Sequence, residues 1–318
     1  MADKPDEFGL IAELFAPLSK SYAGALSLTD DAAFITPEPG KVLTVTTDSL
    51  VEGVHFLPDT PPDLVARKMV RVNLSDLAAK GAKPFAVMMN AIFPQSVTQE
   101  WLIGFAAGLK QDLETYQIAL IGGDTVSTPG PLCLGITAFG WGDPIQSPHR
   151  SGASVGDDIW VSGTIGDGGA GLHAVPGTYL KSRYDLPQPR LNLGQAIAGV
   201  VSAAMDVSDG LVQDLGHIAK ASSLGAQIQT DQIPLSSEFQ AAGYTALQAM
   251  VMGDDYELLF TAPRTAADRL QSLSASSGVD ITRIGRMIPG SGVRCFDQLG
   301  HDVTPEQTGW RHFEGRKE

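Results

Sequence analysis

"PPDLVARKMVRVNLSDLAAKGAKPFAVMMNAIF", residues 61–93, sets a helical stretch directly before a strand-like one. Two prolines open the first part, where a missing N–H costs nothing, and Gly81 closes it, so it reads as a helix. "FAVMMNAIF" is a continuous apolar run of strand length, the pattern of a buried strand. A helix feeding a buried strand is the working unit of an α/β fold, and the same alternation continues outward. Upstream, 32–36 and 42–47 read as strands, and Phe8, Ile11, Leu14, Phe15 and Leu18 recur at helical spacing. Downstream, 98–116 reads as a helix entered through Ser96 or Thr98, with Trp101, Phe105, Leu109 and Leu113 on one face. "IALIGGD" and "LCLGITAFGW" are further strands. The Gly-, Pro- and Ser-rich segment "GDPIQSPHRSGASVGD" (142–157) marks a boundary, giving expected domains 1–146 and 147–318. Beyond it, "DIWVSG", "AQIQT", "YELLFTA" and "ITRIGRMI" read as strands. "GGAGLHAV" starts a helix, "AAMDVSDGLVQDLGHIAKA" passes from strand to helix, and another helix covers 265–276.

Composition narrows the function. Of 318 residues, 43% are hydrophobic and 18% charged, the balance of a globular chain with a core. The net charge of −14 argues against non-specific binding to nucleic acid or to an anionic membrane. It leaves room for small anionic substrates bridged by cations. No run has the length of a membrane-spanning helix, and "MADKPDEFGL" lacks the basic region and apolar core of a signal peptide, so a cytoplasmic protein is expected. Cys133 and Cys295 lie far apart in apolar stretches without ligand spacing, and read as buried free thiols.

Acids recur beside glycines and at strand ends: Asp30 and Asp31 in "TDDAAF", Asp48 in "TTDS", Asp76 in "NLSDLAAKGA", Asp124 in "IGGDT", Asp206 and Asp209 in "DVSDGL", and Asp254, Asp255 and Glu257 in "GDDYELLF". One such acid is ordinarily a cap or a turn residue. As a group they sit in apolar surroundings with few Lys or Arg nearby, where carboxylates are costly unless paired or bound to metal. Hard oxygen ligands in this number suit more than one Mg²⁺ or Ca²⁺. In "LTVTTDSLVEGVHF" (43–56), an apolar strand ends in Thr46, Thr47 and Asp48, and His55 follows as a loop histidine. The P-loop motif is absent. Gly166, Gly168 and Gly171 match G-x-G-x-x-G after a strand, but Asp185 lies in the polar, proline-broken "KSRYDLPQPR" rather than at a second strand end. A Gly-rich strand-to-helix turn, able to accept an anion, fits better than a dinucleotide site. His173 and His217 fall within helical patterns and read as structural or surface residues.

In chain order, "DDAA", "TTDSLVEGVHF", "NLSDLAAKGAKP", "LIGGDT", "RSGASVGD", "SGTIGDGGAGL", "DVSDGLVQDLGHI", "GDDYELLF" and "GWRHF" together resemble the thiamine-monophosphate kinase family. That family is grouped with aminoimidazole ribonucleotide synthetase, selenophosphate synthetase and a hydrogenase-maturation dehydratase. The resemblance implies an α/β (α+β) protein of two aminoimidazole ribonucleotide synthetase-like domains. It implies that the N-terminal sheet pairs with its partner's in a homodimer, with nucleotide and metals in a cleft between domains. The implied reaction is ATP plus thiamine monophosphate giving ADP plus thiamine diphosphate, by direct in-line transfer assisted by several Mg²⁺ ions. By motif, Asp31, Thr46, Thr47, Asp48, Asp76, Asp124 and Asp206 would hold Mg²⁺, and Asp209 a further ion. Gly123, Asp124, Arg150 and Ser208 would contact ATP, while His55, Glu257 and Trp310 would line the thiamine-phosphate site.

Two departures stand out: Thr29 replaces the glycine usual before the first acid pair, and "GDDYEL" replaces "GEDYEL". Rival readings are another ATP-using enzyme of the group, such as aminoimidazole ribonucleotide synthetase, and a non-catalytic nucleotide- or metal-binding protein. The absence of Cys before position 133 argues against selenophosphate synthetase, and the ending "GRKE" against the dehydratase.

Overall fold

The computed structural model describes residues 7–310, without the side chains of Glu7 and Phe8. Phe8 of the expected N-terminal stripe and residues 311–313 of "GWRHF" therefore lie outside the described side chains. The chain divides into two compact units, one of residues up to 77 with 82–144, the other of 78–81 with everything from 145. No helix among the described residues is long and apolar enough to cross a membrane.

Unit one is a four-stranded sheet in the order β1-β4-β2-β3, built from β1 (Val42–Val51), β2 (Lys83–Pro94), β3 (Ala119–Thr128) and β4 (Cys133–Gly142). β2 and β3 are parallel; β4 pairs antiparallel with both β1 and β2. One face carries α2 (Pro62–Ala79) and α3 (Gln99–Tyr116). Thr98 caps α3 by accepting the Trp101 N–H at 3.1 Å. Phe105, Leu109 and Leu113 of α3 are buried, with Phe93 of β2 edge-on to Phe105. The helices approach so closely that a Cβ on Gly108 would stand 2.3 Å from the Asp63 carbonyl oxygen. Arg67 and Arg71 of α2 both bond the fully buried Asp112 of α3. That pairing balances a charge that would otherwise be costly inside.

Three expectations in this half need correction. The N-terminal helix starts as α1 (Glu7–Leu10) but continues as a π turn (Ile11–Phe15) and a 3₁₀ turn (Ala16–Ser19), with Pro17 withholding an N–H from a regular helix. Residues 32–36 form no strand. Ala33 and Ile35 pack inward against Ala86, Ala119 and Ile121 while Phe34 is exposed, so the segment has the alternation of a strand without a ladder partner. β1 does not end at 47: it pairs with β4 through Val51, which puts Thr46, Thr47 and Asp48 mid-strand.

Unit two is a six-stranded mixed sheet, β10-β7-β9-β5-β8-β6. Its strands are β5 (Asp158–Ser162), β6 (Ala203–Asp206), β7 (Gly225–Gln229), β8 (Leu258–Ala262), β9 (Ile281–Ile288) and β10 (Gly292–Phe296). Its helices are α4 (Asp167–Gly171), α5 (Tyr179–Asp185), α6 (Leu191–Ile197), α7 (Leu211–Ala221), α8 (Ser237–Ala241), α9 (Ala246–Ala249) and α10 (Ala267–Ser277). β5 shows why both faces are covered. Ile159 and Val161 join a core with Leu211, Leu215 and Ile218 of α7, whereas Trp160 joins another with Leu193 and Ile197 of α6 and Leu270 of α10. A strand apolar on both faces needs cover on both. α4 ends at Gly171, so His173 sits in a turn rather than a helix. "KSRYD", read as broken coil, belongs to α5, capped by Thr178. β10 was not expected.

Candidate active site

In unit one the alternation of β1 sorts the proposed ligands. Thr46 and Asp48 face α2. Thr46 Oγ1 donates to Asp76 Oδ2, and the Asp48 N–H donates to Asn73 Oδ1 at 2.9 Å. Asp76 sits three residues after Asn73, on the same face of α2. Thr46, Asp48 and Asp76 thus form one group of hard oxygen donors, all half-buried. That donor set suits Mg²⁺. Thr47 points the other way, donating to the Ile136 carbonyl at 2.9 Å and lying 3.4 Å from Thr137 Oγ1. Asp124 shares this open face, because the register runs Ser49, Gly135, Asn90, Asp124 across the sheet. Gly123 before it has φ +147°, and a Cβ there would stand 1.8 Å from the Met89 carbonyl oxygen, so only glycine fits.

Asp31 lies in an exposed bend in which its N–H bonds Asp30 Oδ1 at 2.8 Å. Thr29 has φ −109°, ordinary for threonine, so the missing glycine leaves no strain there. Positive φ falls instead on Leu26, Ser27 and Leu28. His55 closes the "VEGVHF" turn: its Nδ1 accepts the Val51 N–H at 3.0 Å, and its carbonyl accepts from Lys68 Nζ. With Nδ1 accepting, the other ring nitrogen carries the proton in the neutral ring.

In unit two the "DVSDG" loop folds around Asp214, a residue the sequence reading passed over. Asp214 Oδ2 accepts the N–H groups of Ser208, Asp209 and Gly210 at 3.1–3.2 Å. Burial, then the charges of Asp206 and Asp209, push its carboxyl well above the usual range. Asp209, Asp214 and His217 bring ligand atoms within 4.8 Å of one another. The helical spacing of Asp214 and His217 was the available signal; a five-residue step back to Asp209 across the loop was not periodic. Asp206, at the end of β6, is buried. Trp310 reaches the same loop: its N–H bonds the Asp209 carbonyl at 2.9 Å, and Gln213 Nε2 bonds both the Trp310 carbonyl and Asp209 Oδ2. Its ring is half-exposed. Arg150 is exposed, and its carbonyl accepts from Ser222 Oγ.

The "GDDYEL" acids behave unlike free ligands. Asp255 is fully buried and accepts the Gly166 and Gly168 N–H groups at 2.8 and 3.0 Å. The Gly-rich turn does donate its N–H groups to an acceptor, and the acceptor is the protein's own Asp255 carboxyl. Burial holds that carboxyl well above its ordinary range. Glu257, expected at the substrate, has both oxygens engaged, by Arg183, Arg190 and Ser162. The two arginines come from α5 and the residue before α6, which is why no base near "GDDYEL" in sequence announced them. Asp254 and Tyr256, on either side of Asp255, hold φ of +64° and +52°. Their N–H groups bond the Ser208 and Val207 carbonyls, so the "DVSD" and "GDDYE" segments fix each other.

Residues 29–141 match the family model described as AIR synthase related protein, N-terminal domain, and 154–298 match its C-terminal domain. A thiamine-monophosphate kinase from Caulobacter vibrioides is 40% identical, covering 98% of this chain and 92% of that one. A crystal structure of thiamine-monophosphate kinase from Stenotrophomonas maltophilia superposes with a TM-score of 0.80 at 37% identity, over 88% of this chain and 96% of that chain. A structure described as AaThiL complexed with AMPPCP and TMP gives 0.77 at 31% identity, over 96% and 97%. Both halves and nearly the full length are thus accounted for, and the chain belongs to the thiamine-monophosphate kinase family.

Proposed function

We propose that this chain transfers the γ-phosphoryl group of ATP to thiamine monophosphate, giving thiamine diphosphate and ADP. The observation that carries this is the full-length likeness to a relative bound to AMPPCP and TMP. Neither aminoimidazole ribonucleotide synthesis nor a non-catalytic role is favoured, since the curated relatives are kinases.

The acceptor is a phosphate monoester, largely dianionic near neutral pH because its second pKa is about 6. It attacks without a general base, and His55, whose Nδ1 is occupied by the Val51 N–H, is not needed as one. The barrier is charge repulsion: two unit charges ~4 Å apart repel by roughly 4 kcal/mol at an effective dielectric of ~20, and several charges meet here. Mg²⁺, when held by the acids assigned below, would supply the positive charge that offsets that repulsion. We assign Thr46, Asp48 and Asp76 as one donor group, supported by their shared face. Asp206 and Asp209 provide acids in unit two and Asp31 a further one in unit one; Thr47 and Asp124, on the opposite face of the sheet, do not join the Thr46 group. Gly123, Arg150 and Ser208 are assigned to ATP, Arg150 by virtue of a guanidinium fork that suits phosphate. Trp310 offers a half-exposed indole face to the cationic thiazolium, and His55 is assigned to the same thiamine-phosphate site. Glu257 serves the site by holding Arg183 and Arg190.

The partner we propose is a second copy of the chain, paired through the open face of the unit-one sheet. Leu43, Val45, Ile92 and Val126 are 37–51% exposed on that face, an apolar surface of the kind an interface covers. The functional reading is tested by the product: thiamine diphosphate should form from ATP, Mg²⁺ and thiamine monophosphate, and not when Mg²⁺ is withheld.

A further inference from the structure

In a chain of net charge −14, three arginines of unit two converge on one carboxylate. Arg283 Nη1 donates to Asp158 Oδ1 at 3.0 Å, and Nε of Arg264 and of Arg286 each lie 3.8 Å from the same oxygen. The Asp158 side chain is 6% exposed, whereas the three arginines are 42–59% exposed. Arg283 and Arg286 are three apart, which in a regular strand puts them on opposite faces. The ladder between β5 and β9 shifts register between Ile159 and Trp160, so Trp160 lies opposite Arg283 and Asp158 opposite Arg286. The shift turns both arginines to one face, as bulges do where a side chain is re-aimed. One arginine suffices for Asp158. Arg264 and Arg286 stand beyond hydrogen-bond range of it, and Arg286 Nε is buried with no hydrogen-bond partner. An unpaired buried donor is a feature that asks for an acceptor.

Beside this group, between β5, β9 and α10, lies a depression of about 480 Å³. That size falls within the range of small-molecule sites, roughly 300–1,000 Å³. Trp160 and Ile281 give it an apolar wall, Gln271 and Thr282 hydrogen-bonding groups, and Asp268 a second acid on the α10 side. None of Asp206, Asp209, Asp214 or Glu257 lines it. Of the three arginines only Arg283 lines the depression; Arg264 and Arg286 flank it, each 3.8 Å from Asp158, which does line it. We propose that a small phosphorylated molecule binds where the depression meets this group, its phosphate held by Arg283 from within and by Arg264 and Arg286 at the rim. Guanidinium forks match phosphate oxygens, and an anion held by arginines needs no divalent cation. The acidic groups assigned to catalysis work the opposite way.

The experiment is a calorimetric titration of the full chain with inorganic pyrophosphate in EDTA. One saturable site is expected. Arg264→Gln with Arg286→Gln should weaken it at least tenfold, leaving kinase turnover at saturating substrates unchanged. Arg269→Gln removes an exposed charge of α10 that is not among the arginines gathered on Asp158, and should leave the affinity as it was. Should the double variant melt early, Arg264→Gln alone, the most exposed of the three, should still weaken binding several-fold. Absence of saturable binding overturns the proposal, as does equal weakening by Arg269→Gln.

Discussion

Asp48 shows what one residue contributes. Its N–H is held by Asn73, and the alternation of β1 puts it on the same face as Thr46, which bonds Asp76. Asp48→Asn keeps the shape and removes a charge, so turnover should fall about 100-fold or more with the melting temperature preserved. Near-normal turnover would take Asp48 out of the metal group. Asp255 makes a different prediction. Its carboxyl titrates above its ordinary value of 3.8, chiefly through burial and against the pull of two glycine N–H groups. A carboxyl whose folded pKa is raised gives its full stabilisation below the unfolded value and loses it as pH rises through the folded one. The melting temperature of the native chain minus that of Asp255→Asn should therefore shrink as pH rises above 4. A difference that grows with pH contradicts this reading of the glycine turn. At this scale the sequence singled out the acids as candidates, but not what each one touches. Asp214, Arg183 and Arg190 find their partners 4 to 74 residues away in sequence, once the chain has folded.

Elements were most legible where local pattern and packing agree. Helix α2, helix α3 and strand β2 carry their stop signals and periodicity in the sequence, and the fold keeps them. Legibility failed where a partner decides. Residues 32–36 alternate like a strand yet have no ladder, while β1 continues past its apolar residues because β4 runs alongside it through Val51. That continuation matters chemically, since it sends Thr47 to the face opposite Thr46 and Asp48. β3 depends on a close backbone approach at Gly123. Gly123→Ala would need φ +147° and a carbonyl contact no Cβ makes, and should cost about 2–4 kcal/mol in denaturant unfolding. A loss under 1 kcal/mol would mean that the β2–β3 pairing is looser than described.

For the whole molecule, the open sheet face carries the prediction. If a second copy covers it, Val45→Asp places a charge in the interface and should convert a dimer into a monomer by light scattering. A native chain that is monomeric at micromolar concentration, or a variant that stays dimeric, rules this face out as the contact. Two α/β units could be read from the alternation of elements and the acid-bearing motifs; the pairing of sheets could not, since an exposed Val or Leu has no sequence mark of what covers it. The central claim concerns the reaction. It is tested most directly by following the γ-phosphoryl group of labelled ATP in the presence of Mg²⁺ and thiamine monophosphate. The label should appear on the terminal phosphate of thiamine diphosphate, one for each ADP released. ATP consumed without labelled thiamine diphosphate, or consumed only when formylglycinamidine ribonucleotide is supplied, would contradict it.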